Sequence, residues 1–144
     1  MKDSSSRFAP IKRIAEKKEK DAAAQFGRER RQRDEAEQRL QELRRYHQEY
    51  LQRYANSVKA GGATPRLRDY QHFIDKLERA IAEQERILEQ HQTQCEQAKR
   101  EWSDRYTDKR AIGNVMERKQ EEEQRQQSRK EQRQQDDRGP RRND

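Results

Sequence analysis

Apolar residues are scarce in this chain. Only 27% of its 144 residues are hydrophobic, whereas 44% are charged. A compact globular domain of this length needs a larger apolar core, so the composition argues against that class. It leaves a disordered chain or a long helix that buries one narrow stripe, and the abundance of Glu, Lys, Arg, Gln and Ala favours the helix.

Long hydrophobic runs and paired cysteines are also missing. No run approaches the ~20 apolar residues that a membrane span requires, and residues 1–7 lack the apolar core of a signal peptide. We therefore expect a cytoplasmic chain without membrane insertion. The single cysteine, Cys95, cannot form an internal disulfide, which is compatible with a reducing compartment.

Glycine and proline are rare as well, and they meet at one internal place, residues 59–65. Gly61 can adopt the left-handed conformation that ends a helix. Thr64 can accept from the first free amides of a following helix, and Pro65 fits that helix's first position. This segment predicts a turn between two helices.

Both sides of the turn carry an apolar stripe with a spacing of about 3.5 residues, which is typical of a coiled coil. On the first arm the stripe runs through Ala15, Glu19, Ala22, Phe26, Glu29, Arg33, Ala36, Leu40, Leu43, His47, Tyr50 and Tyr54. On the second arm it runs through Leu67, Tyr70, Ile74, Leu77, Ile81, Gln84, Leu88, His91, Cys95, Ala98, Trp102, Arg105, Lys109, Ile112 and Met116.

Side-chain sizes along the two stripes support antiparallel pairing. If the turn folds one arm back on the other, residue numbers in contact should sum to about 124. Large residues then face small ones, as Phe26 faces Ala98 and Trp102 faces Ala22, which is the alternation that interdigitation needs. The predicted fold is all-α, an antiparallel two-helix coiled-coil hairpin with a polar, partly disordered C-terminal extension.

The boundaries follow from proline and from the loss of apolar residues. Because proline is tolerated only in the first turn of a helix, we expect the first helix to start near Pro10, after a flexible N-terminus at residues 1–9. The hairpin should cover residues 10–116. Residues 117–144 contain no aliphatic or aromatic side chain and are expected to form a charged tail, helical in part and disordered in part.

Charge is uneven along the chain. Residues 1–66 carry 17 basic and 10 acidic side chains and so account for the whole net charge of +7. An electropositive arm suits an acidic protein surface, a nucleic acid or a membrane, and charge alone does not choose among them. The arginines near residue 30 are interrupted by carboxylates and have no stacking aromatics, which favours a solvated helix face.

Catalytic and metal-binding patterns are not found. The only glycine pair is the turn itself, and no strand precedes it to form a phosphate loop, so we expect a protein that is not an enzyme and has no cofactor. No metal site is expected either. The histidines, His47 and His91 on the stripe and His72 on a flank, are interpreted as packing or solvated side chains.

One flank of the predicted hairpin is unusually apolar and aromatic. In the antiparallel register Arg53 lies beside Phe73, and Tyr46 lies beside Ala80. A two-helix hairpin has no third element to cover these side chains, and aromatics with arginine are the usual composition of binding hot spots. The alternative is that these residues merely broaden the hairpin's own core.

The segments that carry most information resemble one family, the flagellar export protein FliJ. The early Ile14-Ala15-Glu16-Lys17, the later Trp102 and the glycine turn have its order and spacing. The most specific match is the run Tyr70, Phe73, Ile74, Leu77, Ala80 and Ile81 that follows the turn. The resemblance covers roughly residues 8–116.

The resemblance implies a component of the flagellar type III export apparatus that resembles the central stalk of rotary ATPases. Its implied partners are the hexameric export ATPase FliI, the export gate FlhA and the export chaperones, with no nucleic acid expected. The implied location is cytoplasmic, peripheral at the cytoplasmic face of the inner membrane at the flagellar base, with a role in flagellum biogenesis, motility and chemotaxis.

Two candidate sites follow from the resemblance. Carried over residue by residue, the export-gate binding flank falls on Arg39, Leu43, Tyr46, Tyr50, Phe73, Leu77, Ala80 and Gln84. Arg39 and Gln84 depart from the family pattern. The end that would dock in the ATPase ring is assigned to Ile11, Ile14, Ile112 and Met116.

Two other functions compete with this hypothesis. A nucleic-acid binder would use the arginines of the first arm and would lose affinity steeply as salt rises. A generic scaffold coiled coil would dimerise in parallel instead of folding back on itself.

Overall fold

The chain folds into two long α-helices joined by a short turn. A computed structural model describes residues 4–142. Helix α1 spans Ser4–Lys59 and helix α2 spans Thr64–Arg142, with no strand in the described part of the chain. The predicted all-α helical hairpin is confirmed.

Helix α1 ends in a Schellman motif built on two glycines. Gly61 has a φ of 68°, the left-handed region that glycine occupies without steric cost. The Gly62 N–H donates to the Ser57 carbonyl oxygen at 2.8 Å, and the Gly61 N–H donates to the Val58 carbonyl oxygen at 3.1 Å. These bonds satisfy carbonyls that a helix end otherwise leaves free, so the turn is fixed locally.

Helix α2 begins one residue earlier than the capping pattern indicated. The Leu67 N–H donates to the Ala63 carbonyl oxygen at 3.2 Å, so Ala63, and not Thr64, is the first residue whose carbonyl enters the helical ladder. Pro65 therefore stands second in the helix, where its missing N–H has no intrahelical partner to lose.

The predicted stripes form the seam between the helices. Every stripe position, from Ala15 to Tyr54 on α1 and from Leu67 to Met116 on α2, is buried or half-buried. A helix that drifted out of the coiled-coil spacing would have turned several of these positions to solvent. Periodicity alone therefore identified the packing face of both helices.

The chain divides into two compact units, and the larger one comprises residues 24–100. Its most buried apolar side chains are Leu40 and Cys95, each 3% exposed, together with Ala36, Ile74 and Leu77. Burying a leucine of this kind contributes about 2 kcal/mol. The core of this unit is thus a narrow line of buried side chains between the two helices.

Among the described residues, the second unit comprises residues 4–23 and 101–142. Ala15 and Ala22 are its buried apolar residues on α1. Across the seam, Trp102 Nε1 donates to Glu19 Oε1 at 3.4 Å, and the Trp102 ring lies 5.7 Å from the Tyr106 ring. Small residues on one helix therefore accommodate the single tryptophan on the other.

The sequence predicted a flexible N-terminus at residues 1–9, of which residues 1–3 lie outside the part of the chain that the structure describes; residues 4–9 are helical. Helix α1 begins at Ser4, so Pro10 lies inside the helix. The physical reason is a contact with α2. Ser5 N–H and Ser5 Oγ both donate to the Glu123 carboxylate, at 2.9 and 2.7 Å, which caps the early turn from the other helix.

The charged segment that follows Met116 is also part of α2, which continues to Arg142. Residues 124–138 are exposed, whereas Lys119 and Glu123 are half-buried. The paired part of the second unit therefore extends to residue 123, beyond the limit at 116 that apolar content suggested.

Candidate interaction surfaces

An aromatic cluster lies on one flank of the larger unit, near the turn. The Tyr50 ring lies 4.2 Å from the Phe73 ring and 6.2 Å from the Tyr70 ring, measured between centroids. The Arg53 guanidinium carbon lies 4.9 Å from the Tyr50 centroid, in a cation–π arrangement. Arg53 and Phe73, which the register predicted to be neighbours, thus both contact the Tyr50 ring.

Both aromatic side chains that the register placed on the predicted flank, Tyr46 and Phe73, remain open to solvent. Tyr46 is 48% exposed and Phe73 is 40% exposed, although both are large and apolar over most of their surface. Two helices cannot enclose a flank position from a third side, so these rings have no further protein surface to cover them. They are the members best placed to contact another molecule.

Four other predicted residues line a shallow groove of about 880 Å³ in the same unit. Arg39 and Leu43 come from α1, and Ala80 and Gln84 come from α2. Ile87 of α2 extends the groove away from the turn. Of the eight carried-over positions, the structure therefore places four in this groove, whereas Tyr50 and Phe73 lie in the aromatic cluster.

Leu77 and Gln84 of the predicted flank are almost fully buried. Gln84 Nε2 donates to the Ala36 carbonyl oxygen at 3.0 Å, which satisfies the amide inside the seam. These two residues lie in the seam, beneath the exposed members of the flank. They present little area to a partner.

The opposite flank of this unit is polar. Arg44 Nη2 lies 3.4 Å from Glu85 Oε1, and His47 Nε2 lies 3.2 Å from Glu78 Oε1, both across the two helices. Leu51 is the apolar exception, 42% exposed. Exposed pairs of this kind contribute little stability, about 0–1 kcal/mol, but they keep the flank hydrated.

The predicted ATPase-docking residues belong to the second unit. Ile11 and Ile14 are exposed, and Ile112 is half-buried. These three line a groove of about 310 Å³ with Ala15 and Ala111, and with the charged Lys18, Arg105 and Asp108 at its edges. Met116 is half-buried and does not line the groove.

Arg28, Arg30 and Arg33 each contact a side chain of their own helix, and Arg33 also donates from Nη1 to Cys95 Sγ of α2 at 3.7 Å. Arg28 Nε and Nη2 donate to Gln25 Oε1 at 3.2 and 2.6 Å, and Arg33 Nη2 lies 2.9 Å from Asp34 Oδ1. The Arg30 guanidinium carbon lies 5.5 Å from the Phe26 centroid. The neighbouring Asp34 carboxylate raises the pKa of Arg33, so this cation is stabilised locally.

Sequence reasoning missed the contacts at the start of α1. Besides the two bonds from Ser5 to Glu123, Lys119 Nζ lies 5.1 Å from the Phe8 centroid. The hydrogen bond from the Ser5 hydroxyl contributes most to lowering the pKa of the Glu123 carboxyl group. The run of serines from Ser4, residues typical of helix starts, was the only signal available in the sequence.

Membrane-spanning helices and metal-binding clusters were both sought in the described part of the chain. Neither helix, over the described residues, has a stretch long and apolar enough to cross a membrane. Within residues 4–142, no group of three or more His, Cys, Asp and Glu side chains is arranged to hold a metal ion.

Comparison with known proteins points to one family. The family model of the flagellar FliJ protein matches residues 4–142. The flagellar FliJ protein of Escherichia coli (strain K12) is 32% identical over 111 residues, which cover 77% of this chain and 76% of that protein. The flagellar FliJ protein of Salmonella typhi is 34% identical over 95 residues, 66% of this chain and 65% of that protein. A match over nearly the whole described chain, joined to a helical hairpin with the predicted register, shows that this chain belongs to the flagellar FliJ protein family.

Proposed function

We propose that this chain is a non-enzymatic coupling component of flagellar type III protein export. It links the hexameric export ATPase FliI to the export gate FlhA and assists the export chaperones, working at the cytoplasmic face of the inner membrane. The observation that carries the proposal is the exposed aromatic flank of Tyr46 and Phe73 on a hairpin whose other flank is polar.

The aromatic flank has the properties of a binding hot spot. Phe73 is backed by Tyr50, and Tyr50 is held by the Arg53 guanidinium, so the ring that faces solvent is fixed in place before a partner arrives. A preordered ring loses little conformational entropy on binding. Truncating a residue of this kind at an interface typically costs about 2 kcal/mol or more.

The adjoining groove extends the surface that the gate would contact. Leu43 and Ala80 supply apolar area, and Arg39 supplies a cation at the groove edge. Leu77 and Gln84 act from inside the seam, where they hold the two helices at the separation that keeps the groove open. We therefore assign direct contact to the exposed members and support to the buried ones.

The ATPase would use the second unit. Ile11 and Ile14 expose aliphatic area that a folded two-helix unit does not cover, and Ile112 forms part of the same groove wall. The first arm is the electropositive one, which favours approach to an acidic ring surface. Having one candidate surface in each unit matches a protein that joins two different partners.

The sharpest test is a double substitution, Tyr46→Ala with Phe73→Ala, in the full chain. We expect its affinity for the purified cytoplasmic domain of the gate to fall at least about thirty-fold, because the loss of even one hot-spot ring is worth roughly 2 kcal/mol. Swimming in soft agar, in a strain lacking the wild-type gene, should fall with it. Titration calorimetry and halo diameter are the two readouts.

Leu51→Ala provides the matched control. Leu51 is exposed to a similar degree and lies close to Tyr50 in the chain, but it belongs to the polar flank. This variant should bind the gate like the parent and support normal swimming. Unchanged gate binding in the double variant, with its helical circular dichroism intact, would refute the flank assignment.

A further inference from the structure

The backbone hydrogen-bond ladder of α1 is interrupted near the start of the helix. Residues 4–9, which we call the N-terminal latch, precede Pro10 within the helix. Proline has no N–H, so one intrahelical hydrogen bond is missing here, and its ring disfavours the helical conformation of Ala9. The α-helical conformation of α1 is therefore least favourable at Pro10.

Contacts with α2 hold the latch in place. The Ser5 N–H donates to Glu123 Oε1 at 2.9 Å, and Ser5 Oγ donates to Glu123 Oε2 at 2.7 Å. One turn earlier on α2, Lys119 Nζ lies 5.1 Å from the Phe8 centroid. Ser5 is only 8% exposed despite lying two residues into the helix.

The Glu123 carboxylate is electrostatically suited to this role. It sits at the helix N-terminus, where free amide groups carry a partial positive charge. The two bonds from Ser5 are the leading causes that hold the pKa of Glu123 below its ordinary value, with the Lys119 ammonium adding to the effect. The contact therefore favours the ionised carboxylate.

Two discrete arrangements are available to this end of the chain. In the closed one, α1 begins at Ser4 and Glu123 caps it. In the open one, α1 begins at Pro10, a residue whose fixed φ suits the first position of a helix. Because the second arrangement has a well-formed start of its own, the latch can detach without unravelling the residues that follow.

We propose that residues 4–9 form a latch that opens about Pro10, with Glu123 as the catch, while the remainder of the second unit stays folded. Opening releases the Lys119 and Glu123 side chains and the first amides of α1 together. A partner that binds this turn of α2 must displace the latch, so the closed state is autoinhibitory for that turn. The device goes beyond the proposed export role and does not depend on it.

Amide hydrogen exchange in the full chain tests the proposal, with Glu123→Gln as the main variant and Glu122→Gln as its control. Glu122 is the exposed neighbour of Glu123 in the chain and carries the same carboxylate. In Glu123→Gln, exchange of the Ser5, Phe8 and Ala9 amides should accelerate about five-fold, the loss expected for charge-assisted hydrogen bonds at a half-exposed site. Amides of residues 15–20 should exchange as in the parent.

A third variant separates a hinge from ordinary fraying. Adding Pro10→Ala to Glu123→Gln restores the missing backbone bond and a good helix former, so exchange of Phe8 and Ala9 should slow again. The proposal is overturned if Glu123→Gln leaves the latch amides unchanged or accelerates residues 15–20 equally. It is likewise overturned if Glu122→Gln has the same effect or if Pro10→Ala slows nothing.

Discussion

Alanine should act in opposite directions at two glycines of this protein. At Gly113, inside α2, an added Cβ would meet no heavy atom within 4 Å. Alanine is favoured over glycine in a helix interior by about 1 kcal/mol, so Gly113→Ala should stabilise the second unit by roughly that amount. For a chain of this size the thermal midpoint should rise by about 3 °C.

At Gly62 the same methyl group has no room. A Cβ there would lie 2.9 Å from the Ser57 carbonyl oxygen, the atom that accepts the Gly62 N–H at 2.8 Å. Relieving this overlap requires the turn to shift and the hydrogen bond to weaken. We expect Gly62→Ala to destabilise the protein by about 1–3 kcal/mol, the range typical of backbone strain combined with a lost bond.

Thermal unfolding followed by circular dichroism measures the stability change at both glycines. Tryptophan fluorescence shows whether the change at Gly113 belongs to the second unit. Trp102 is the only tryptophan and belongs to the same unit as Gly113, so its emission follows that unit. Gly27→Ala is the matched control, since its Cβ would make only an ordinary 3.7 Å contact with Arg31, and it should be stabilising. Destabilisation by Gly113→Ala, or a neutral Gly62→Ala, would refute the reasoning.

Three further outcomes test the packing and the electrostatics. Because the pKa of the folded-state Glu123 carboxylate is depressed, the carboxylate stabilises its contact above the ordinary pKa and loses this contribution as pH falls. Carbon NMR should show a smaller pKa depression in Ser5→Ala, which removes the hydroxyl donor and keeps the Ser5 N–H donor. The free energy of unfolding in urea should change by no more than about 1 kcal/mol in Gln84→Leu, because leucine fills the same buried space. It should fall by about 2 kcal/mol in Gln84→Ala, because the smaller residue leaves a void. Leu40→Ala should cost about 3 kcal/mol and so accelerate labelling of the buried Cys95 thiol by roughly a hundredfold, measured with a thiol reagent.

The seam and the turn could be predicted because they follow local rules. A stripe repeating every 3.5 residues fixes which face of each helix is buried, whatever the partner. Gly61 predicted a left-handed residue, and the structure has one at that position. Observed contacts such as Tyr50 with Phe73 and His47 with Glu78 have residue numbers that sum to within one of the predicted 124, so they agree with the predicted antiparallel register.

The candidate surfaces could be predicted only in outline. Heptad register placed Tyr46 and Phe73 on one flank, but it could not say which flank residues end up exposed. Leu77 and Gln84 were assigned to the binding flank by the resemblance, whereas their spacing put them on the stripe, and both are buried in the seam. How far the neighbouring flank side chains are exposed depends on packing across two helices, which spacing along one helix does not encode.

The start of α1 shows why a correct local rule can still misplace a boundary. Proline does weaken a helix at Pro10, and isolated from α2 the chain should begin its helix there. The structure begins at Ser4 because a carboxylate 118 positions away caps the early turn, a contact that no local window of sequence contains. Local preference and tertiary contact thus favour different starts, separated by only a few hydrogen bonds. The opening that we propose for the N-terminal latch follows from this conflict, because a switch requires a second arrangement close in free energy to the first.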